Sequence, residues 1–223
     1  MKLEVRGLVK VFPAPFFSGG APLRVLDGLD LEAGAGVTGL GGANGSGKTT
    51  LFRTLAGVIE ADGGAILLDG KPASSGRLRE LAAYCPPNPR SFYFRLSALE
   101  NLRFFGALAG LPAAQALERA GRLADRLNLS RADLERRFDR LSEGNMQKVS
   151  LIRTFSRRAP LLLLDEPFRG LDGLACTGLL GLIAEAGRSA VALLTSHSRE
   201  LMTAAAQRAL RMDRGLVLPG RPQ

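Results

Sequence analysis

Hydrophobic and polar positions alternate from Leu3 to Phe12 in LEVRGLVKVF, the two-residue period of a half-buried strand. The alternation breaks at PAPFFSGGAP, a proline- and glycine-rich loop or hairpin tip, and resumes in LRVLDGLDLEAG. GVTGLGG is a short strand running into a glycine-rich loop, and KTTLFRTLAGVI reads as a helix with Leu51, Leu55 and Ile59 along one side. DGGAILLDGKP has the pattern of a hairpin strand closed by Asp69-Gly70. From Leu96 to Arg140 the period turns helical, and in LSEGNMQKV Ser142 is a good N-cap for a run in which Met146, Val149 and Ile152 recur at helical spacing.

Beyond Arg158 strands and helices alternate: strand LLLLDEP, helix LDGLACTGLLGLIAEAG, strand AVALLTSH, helix SRELMTAAAQ, then a final strand pair around ALRMDRGLVL. Such alternation predicts an α/β fold with a mostly parallel wound sheet and helices packed on it. The N-terminal strands predict an antiparallel β portion, and the helix-only middle an inserted α-helical subdomain. The expected division is one domain, with residues 1–93 and 146–223 as the core and 94–145 as the helical subdomain.

Composition changes this picture little. At 223 residues, 46% hydrophobic and 23% charged, the chain can bury one substantial core. No apolar run approaches the roughly 18 to 20 residues of a membrane span. The first residues lack a signal-peptide apolar core, so a cytosolic location is expected. Cys85 and Cys176 have no CxxC spacing and read as free thiols; the NGS and NLS sequons at Asn44 and Asn128 are then without consequence. The net charge of +9 favours an acidic partner, whether nucleic acid, nucleotide phosphate or lipid headgroup, without choosing among them.

Candidate chemistry is more specific. GANGSGKT, Gly42 to Thr49, satisfies G-x-x-x-x-G-K-[ST] between a strand and a helix. Gly45 and Gly47 let successive N–H groups, those of Asn44 and Ser46 included, turn inward on phosphate oxygens, and the helix end adds its dipole. Lys48 is expected to reach the β- and γ-phosphates, Thr49 to bind Mg²⁺ and Thr50 to approach the α-phosphate. Asp165 and Glu166 close an apolar strand, where ligands of open α/β sheets lie: Asp165 suits Mg²⁺, and Glu166 suits a water attacking the γ-phosphate. The only histidine, His197, ends another strand and can meet the same phosphate.

In this order the parts resemble an ATP-binding cassette (ABC) ATPase, the nucleotide-binding subunit of an ABC transporter, over nearly the whole chain. The resemblance rests on GANGSGKTTL as Walker A, LSEGNMQK as the ABC signature, LLLLDEP as Walker B, RGLD as the D-loop and TSH as the switch histidine. It implies a P-loop NTPase core, ATP and Mg²⁺ as ligands, ATP hydrolysis, and two cassettes packed head to tail, most simply as a homodimer. Ser142 and Gly144 of one subunit would then contact ATP held by the other, with Asp172 in the D-loop. It also implies an integral-membrane permease as partner, so that the chain would sit peripherally on the cytoplasmic face of the membrane. The A-loop aromatic that stacks on adenine corresponds best to Phe12, with Phe16 or Phe17 as stand-ins and a Phe packed in its own strand as the competing reading. Phe92, Tyr93 and Phe94 are candidate permease contacts unless they pack the helical subdomain.

Departures from the family pattern are as informative. Where a glutamine is usual, AYCPPN places Pro87, with Asn88 next; proline offers no side-chain oxygen, and Asn88 would supply one to Mg²⁺ if the loop shifted by one residue. Slower hydrolysis or altered coupling is expected. Arg169 stands where a small serine or threonine is common. Glu143 and Asn145 replace a frequent glycine and glutamine, and the charge of Glu143 needs an offset from Lys148 or Mg²⁺. A soluble ABC ATPase acting on nucleic acid or ribosomes is the second reading; it commonly carries two cassettes or a long insertion, and this chain has neither. A hydrolysis-impaired cassette that only binds ATP is the third; Glu166 and His197 argue against it, and Pro87 leaves it open. Within the family, the motif run most resembles bacterial ABC-2-type exporters.

Overall fold

A computed structural model describes residues 1–14, 20–89 and 91–219; Phe16 and Phe17 lie outside the described residues. Strands β1 (Leu3–Phe12), β2 (Leu23–Ala33), β4 (Gly63–Leu68) and β5 (Lys71–Pro72) form an antiparallel sheet in the order β2-β1-β4-β5. The second sheet holds β3 (Gly36–Gly41), β6 (Ala82–Cys85), β7 (Leu161–Leu164), β8 (Val191–Leu194), β9 (Arg208–Asp213) and β10 (Leu216–Pro219) in the order β10-β9-β3-β8-β7-β6. All its neighbours run parallel except the β10–β9 edge pair. Asp69 and Gly70 both take positive φ, 50° and 75°, in the turn that closes the β4–β5 hairpin, as the Asp-Gly pair predicts.

The period of two along β7 and β8 divides the core. Leu161, Leu163, Val191 and Leu193 face helix α1 (Lys48–Leu55) and the antiparallel sheet. Leu162, Leu164, Ala192 and Leu194 face the other way, toward helices α3 (Ala98–Leu108), α4 (Ala113–Arg126), α6 (Glu143–Ser156) and α7 (Gly173–Gly187). Both faces are covered, so these strands are apolar throughout and end only where Asp165 and Thr195 begin. Leu51, Phe52 and Leu55 of α1 are fully buried between the two sheets.

The helix predicted to reach Ile59 stops at Leu55. Gly57 adopts φ +67°, and a Cβ there would strike the Ser75 carbonyl oxygen, so the chain must turn away. Two elements carry little pattern of their own: helix α2 (Ser75–Leu81), capped by the Ser74 side chain, and β6, whose alanine-rich AAYC has a weak strand signal. Between α4 and α6 lies only a short helix, α5 (Arg131–Glu135), and α8 (Arg199–Ala205) follows β8. Helix α6 runs without a break across position 145, where the alternation of patterns sets the subdomain boundary.

Candidate functional site

The loop from Gly42 to Lys48 joins the end of β3 to the start of α1. Gly42, Gly45 and Gly47 hold φ of 145°, 79° and 105°, a run that side chains would oppose. Gly47 is the N-cap of α1; no side chain caps the helix and no acid occupies its first turn. Its first N–H groups are thus left for a ligand, at the positive end of the dipole. The Ser46 hydroxyl is buried without a hydrogen-bond partner among the described residues. Lys48 bends back across the loop, its Nζ donating to the carbonyls of Gly42 at 2.8 Å and Ala43 at 3.0 Å. Desolvation pushes the Lys48 ammonium below its usual pKa, opposed by Glu166 and Asp165. Asn44 and Thr49 are exposed and Thr50 half-buried. Met212 of β9 floors the loop, with its Cε 2.7 Å from where a Cβ on Gly47 would stand.

The ends of β7 and β8 supply the carboxylates. Asp165 is buried, and its Oδ1 accepts a 2.8 Å hydrogen bond from the Thr195 hydroxyl. The same hydroxyl accepts from the Glu166 N–H at 2.9 Å, so Thr195 ties both acids together. Tyr84 directs its hydroxyl at Asp165 Oδ2 from 3.5 Å; burial and then Asp165 push the phenol pKa up, so it stays a donor. Glu166 adopts φ +52°, a conformation costly for a side chain and concentrated at functional sites. Its Oε2 accepts from the His197 N–H at 3.0 Å, and the His197 ring Nε2 lies 3.5 Å from Oε1. The structure therefore brings Lys48, Asp165, Glu166 and His197 to the same ends of β3, β7 and β8, with Lys48 sensing both acids. Sequence reasoning does not single out Thr195 or Tyr84; the TS of AVALLTSH is the available signal for the first.

The signature turn is built differently. Ser142 caps α6, its Oγ accepting from the Asn145 N–H at 3.2 Å. A Cβ on Gly144 would collide with the Gly170 carbonyl oxygen, so glycine permits the first turn of α6 to rest on the RGLD loop. Lys148 is buried and donates to Asp172 Oδ2 at 2.6 Å and to the Asn128 carbonyl at 2.8 Å. It is committed there and does not offset Glu143, a correction to the expectation from the sequence. Asp172 also caps α7 by accepting from the Ala175 N–H at 2.9 Å, and its carboxyl is held down at about 2, first by Lys148. Gln147, buried beside Cys85, donates to the Pro167 carbonyl at 3.4 Å. No hydrogen bond among the described residues links the Ser142–Asn145 turn to the loop 42–49.

Other expected positions separate. Phe12 is half-buried at the end of β1, opposite Leu23, with Lys10 Nζ 5.6 Å from its ring centroid. Phe92 belongs to the core: it stacks on Phe138 at 4.5 Å and meets Phe105 edge-on. Tyr93 and Phe94 remain about half exposed. Asn88 accepts at Oδ1 from Arg169 Nη1 at 3.3 Å. No helix among the described residues is long and apolar enough to cross a membrane.

Known proteins resemble the chain in sequence and in fold. The family described as ABC transporter matches residues 26–169. The ABC transporter ATP-binding protein YhaQ of Bacillus subtilis is 33% identical over 178 residues, 79% of this chain, which spans 58% of that relative's length. The lipoprotein-releasing system ATP-binding protein LolD 2 of Chlorobaculum tepidum is 34% identical over 96% of this chain and 91% of its own length. A solved structure of an ATP-binding subunit of an ABC transporter superposes with a TM-score of 0.82 at 28% identity, covering 97% of this chain and 88% of its own. Motifs, fold and relatives coincide, and the chain belongs to the ABC transporter family, as an ATP-binding cassette ATPase.

Proposed function

We propose that the chain is the ATP-hydrolysing subunit of a membrane transporter, acting as a pair of cassettes that close on ATP and separate after hydrolysis. The observation that carries this reading is Glu166, held in the left-handed conformation with its carboxylate fixed by His197 and its backbone tied through Thr195 to Asp165. A carboxylate so placed, across from the open N-terminus of α1, takes a proton from a water attacking the γ-phosphate. The loop N–H groups and Lys48 receive the phosphates; Lys48 exchanges the carbonyls of Gly42 and Ala43 for phosphate oxygens. The His197 ring, mostly exposed, is free to reach the same phosphate.

For Mg²⁺ the donor set fits. Asp165 and Thr49 offer hard oxygens at one end of the sheet, and Mg²⁺ bound with substrate phosphates needs only one or two protein ligands. When bound, the ion neutralises charge building on the β- and γ-phosphates. Phe12 is the aromatic available to stack on adenine. Ser142, Gly144 and Asp172 would face the nucleotide of the second subunit, presented by a helix end already fastened to its own D-loop. Two such half-sites per pair make the two-state element that drives a partner.

A permease supplies the membrane pathway and docks in a groove of about 900 Å³ lined by Arg53, Tyr84, Phe105, Leu108, Leu111 and Arg153, among others. The chain would then lie on the cytoplasmic face of the membrane. The basic charge is compatible with this location and does not require nucleic acid. An ABC-2-type exporter remains our finer reading, on the motif run alone.

Glu166→Gln tests the mechanism. ATP turnover is expected to fall at least about 100-fold, while size-exclusion chromatography with saturating ATP and Mg²⁺ shows an accumulated dimer. A variant that stays monomeric under those conditions would count against the two-cassette mechanism.

A further inference from the structure

Hydrogen bonding between strands continues one residue past the ends of β7 and β8. The Asp165 N–H donates to the Cys85 carbonyl at 3.0 Å, and the Thr195 N–H to the Leu164 carbonyl at 2.9 Å. Both side chains are thus carried on fixed positions of the sheet, and both are buried. Glu166 comes next and turns off the sheet with φ +52°. A side chain is strained in that region and stays there only where its surroundings over-determine it. The end of β8 supplies two such contacts. The Thr195 hydroxyl accepts from the Glu166 N–H at 2.9 Å, and the His197 N–H donates to the Glu166 carboxylate at 3.0 Å. An amide N–H can only donate, so the single proton of the Thr195 hydroxyl is directed at Asp165 Oδ1, 2.8 Å away.

We propose that Thr195 is a positioning residue: its hydroxyl holds Glu166 in the left-handed conformation, and without it the cassette binds ATP but hydrolyses it slowly. The proposal rests on the role of Glu166 given above. Valine has nearly the shape of threonine and no hydroxyl. At position 195 it leaves the Glu166 N–H without its acceptor and Asp165 Oδ1 without its donor, beside a backbone already under strain. A return of Glu166 to a right-handed φ relieves the strain, frees its N–H to find water, and carries the carboxylate away from the His197 N–H. The groups that receive ATP stand on the loop 42–49 and α1, and no side-chain hydrogen bond among the described residues joins Thr195 to them. The loss therefore falls on hydrolysis and spares ATP binding. Serine, which keeps the hydroxyl and lacks only the methyl, preserves both bonds.

His197 is the only histidine, so full-length protein labelled with ¹⁵N-histidine gives a single backbone amide resonance, which reports the bond to Glu166. Without nucleotide, Thr195→Val is expected to move that resonance most of the way to its position in Glu166→Ala, and Thr195→Ser to leave it in place. With ATP and Mg²⁺, Thr195→Val should turn over ATP about 10- to 100-fold more slowly. Its ATP affinity should stay within about threefold of wild type, and the dimer should accumulate as in Glu166→Gln. Thr195→Ser should restore turnover. Adding Thr195→Val to Glu166→Gln should slow hydrolysis no further, because the hydroxyl acts through Glu166. An unmoved resonance in Thr195→Val overturns the positioning role. So does a serine variant as slow as the valine one, or loss of ATP binding in the valine variant. If valine prevents folding, Thr195→Cys replaces it, its weakly bonding thiol shifting the resonance the same way by less; no shift there overturns the role too. A wild-type protein that does not hydrolyse ATP would instead overturn the proposed function, and the nucleotide-free resonance would still decide what holds Glu166.

Discussion

The phosphate loop and the signature turn are both helix N-termini, and they are finished in opposite ways. At α1 the cap is a glycine with no side chain to accept from the helix, the Ser46 hydroxyl is buried with no partner among the described residues, and Lys48 folds onto carbonyls of its own loop. At α6 the cap is satisfied by Ser142, the first turn is seated on Gly170, and Lys148 is locked to Asp172. The first is a set of donors short of an acceptor, so it gains most from a polyanion. The second has its own partners, so it can act as a rigid edge offered to another molecule. A site shared between subunits needs one half of each kind: a cradle that binds on its own and a lid whose shape does not depend on the ligand.

Lys48→Ala should show the contrast most strongly. Two charge-assisted hydrogen bonds to phosphate are lost, and ATP affinity measured by titration calorimetry should drop about 100-fold or more. The thermal midpoint should barely change without nucleotide, because in the free protein Lys48 bonds only to its own loop. An unchanged affinity would mean that the loop is not the cradle.

Gly144→Ala should do the reverse. The added methyl has no space against Gly170, and the expected cost is about 1–3 kcal/mol in unfolding free energy. ATP binding to the monomer should persist while ATP-driven dimerisation weakens. If the monomer lost ATP binding instead, the two ends would not be independent.

The smallest effect concerns pH. The carboxyl of Asp172 is lowered from its usual 3.8 to about 2 by Lys148 and the α7 cap. A lowered folded-state pKa stabilises above the unfolded value, and that stabilisation disappears as pH falls through the folded value. Wild-type protein should therefore lose stability between about pH 4 and pH 2 more steeply than Asp172→Asn, as read by urea midpoints. Because Asp172 is 45% exposed, solvent screens the pair and the difference should be modest. Parallel acid limbs for the two proteins would show that Lys148 does not hold the carboxylate.

Much of the site is legible in the order of residues alone. Gly42, Gly45, Gly47 and Lys48 are neighbours in the chain and impose their geometry locally, and an apolar run ending in Asp165-Glu166 announces a strand with acids at its tip. Ser142 reads as a cap because capping is a three-residue event. Lys148, in contrast, reads as a partner for Glu143, its neighbour in sequence, when its actual partner is Asp172, a residue brought to it by packing α6 against the turn that opens α7. The fold is legible to the same extent: long alternating or periodic segments announce themselves, while β6 is a strand mainly because β7 lies beside it.

What the sequence determined by itself is the backbone chemistry of contiguous stretches: which turn needs glycine, which helix end is capped, where a phosphate can be cradled. Only the tertiary structure decided that Thr195 joins Asp165 to Glu166, that Met212 floors the loop, and that Arg169 reaches Asn88. The reason is range. Torsional preference and capping act over a few residues and are written in their order, whereas pairings across 30 or 81 positions depend on where the strands and helices come to rest.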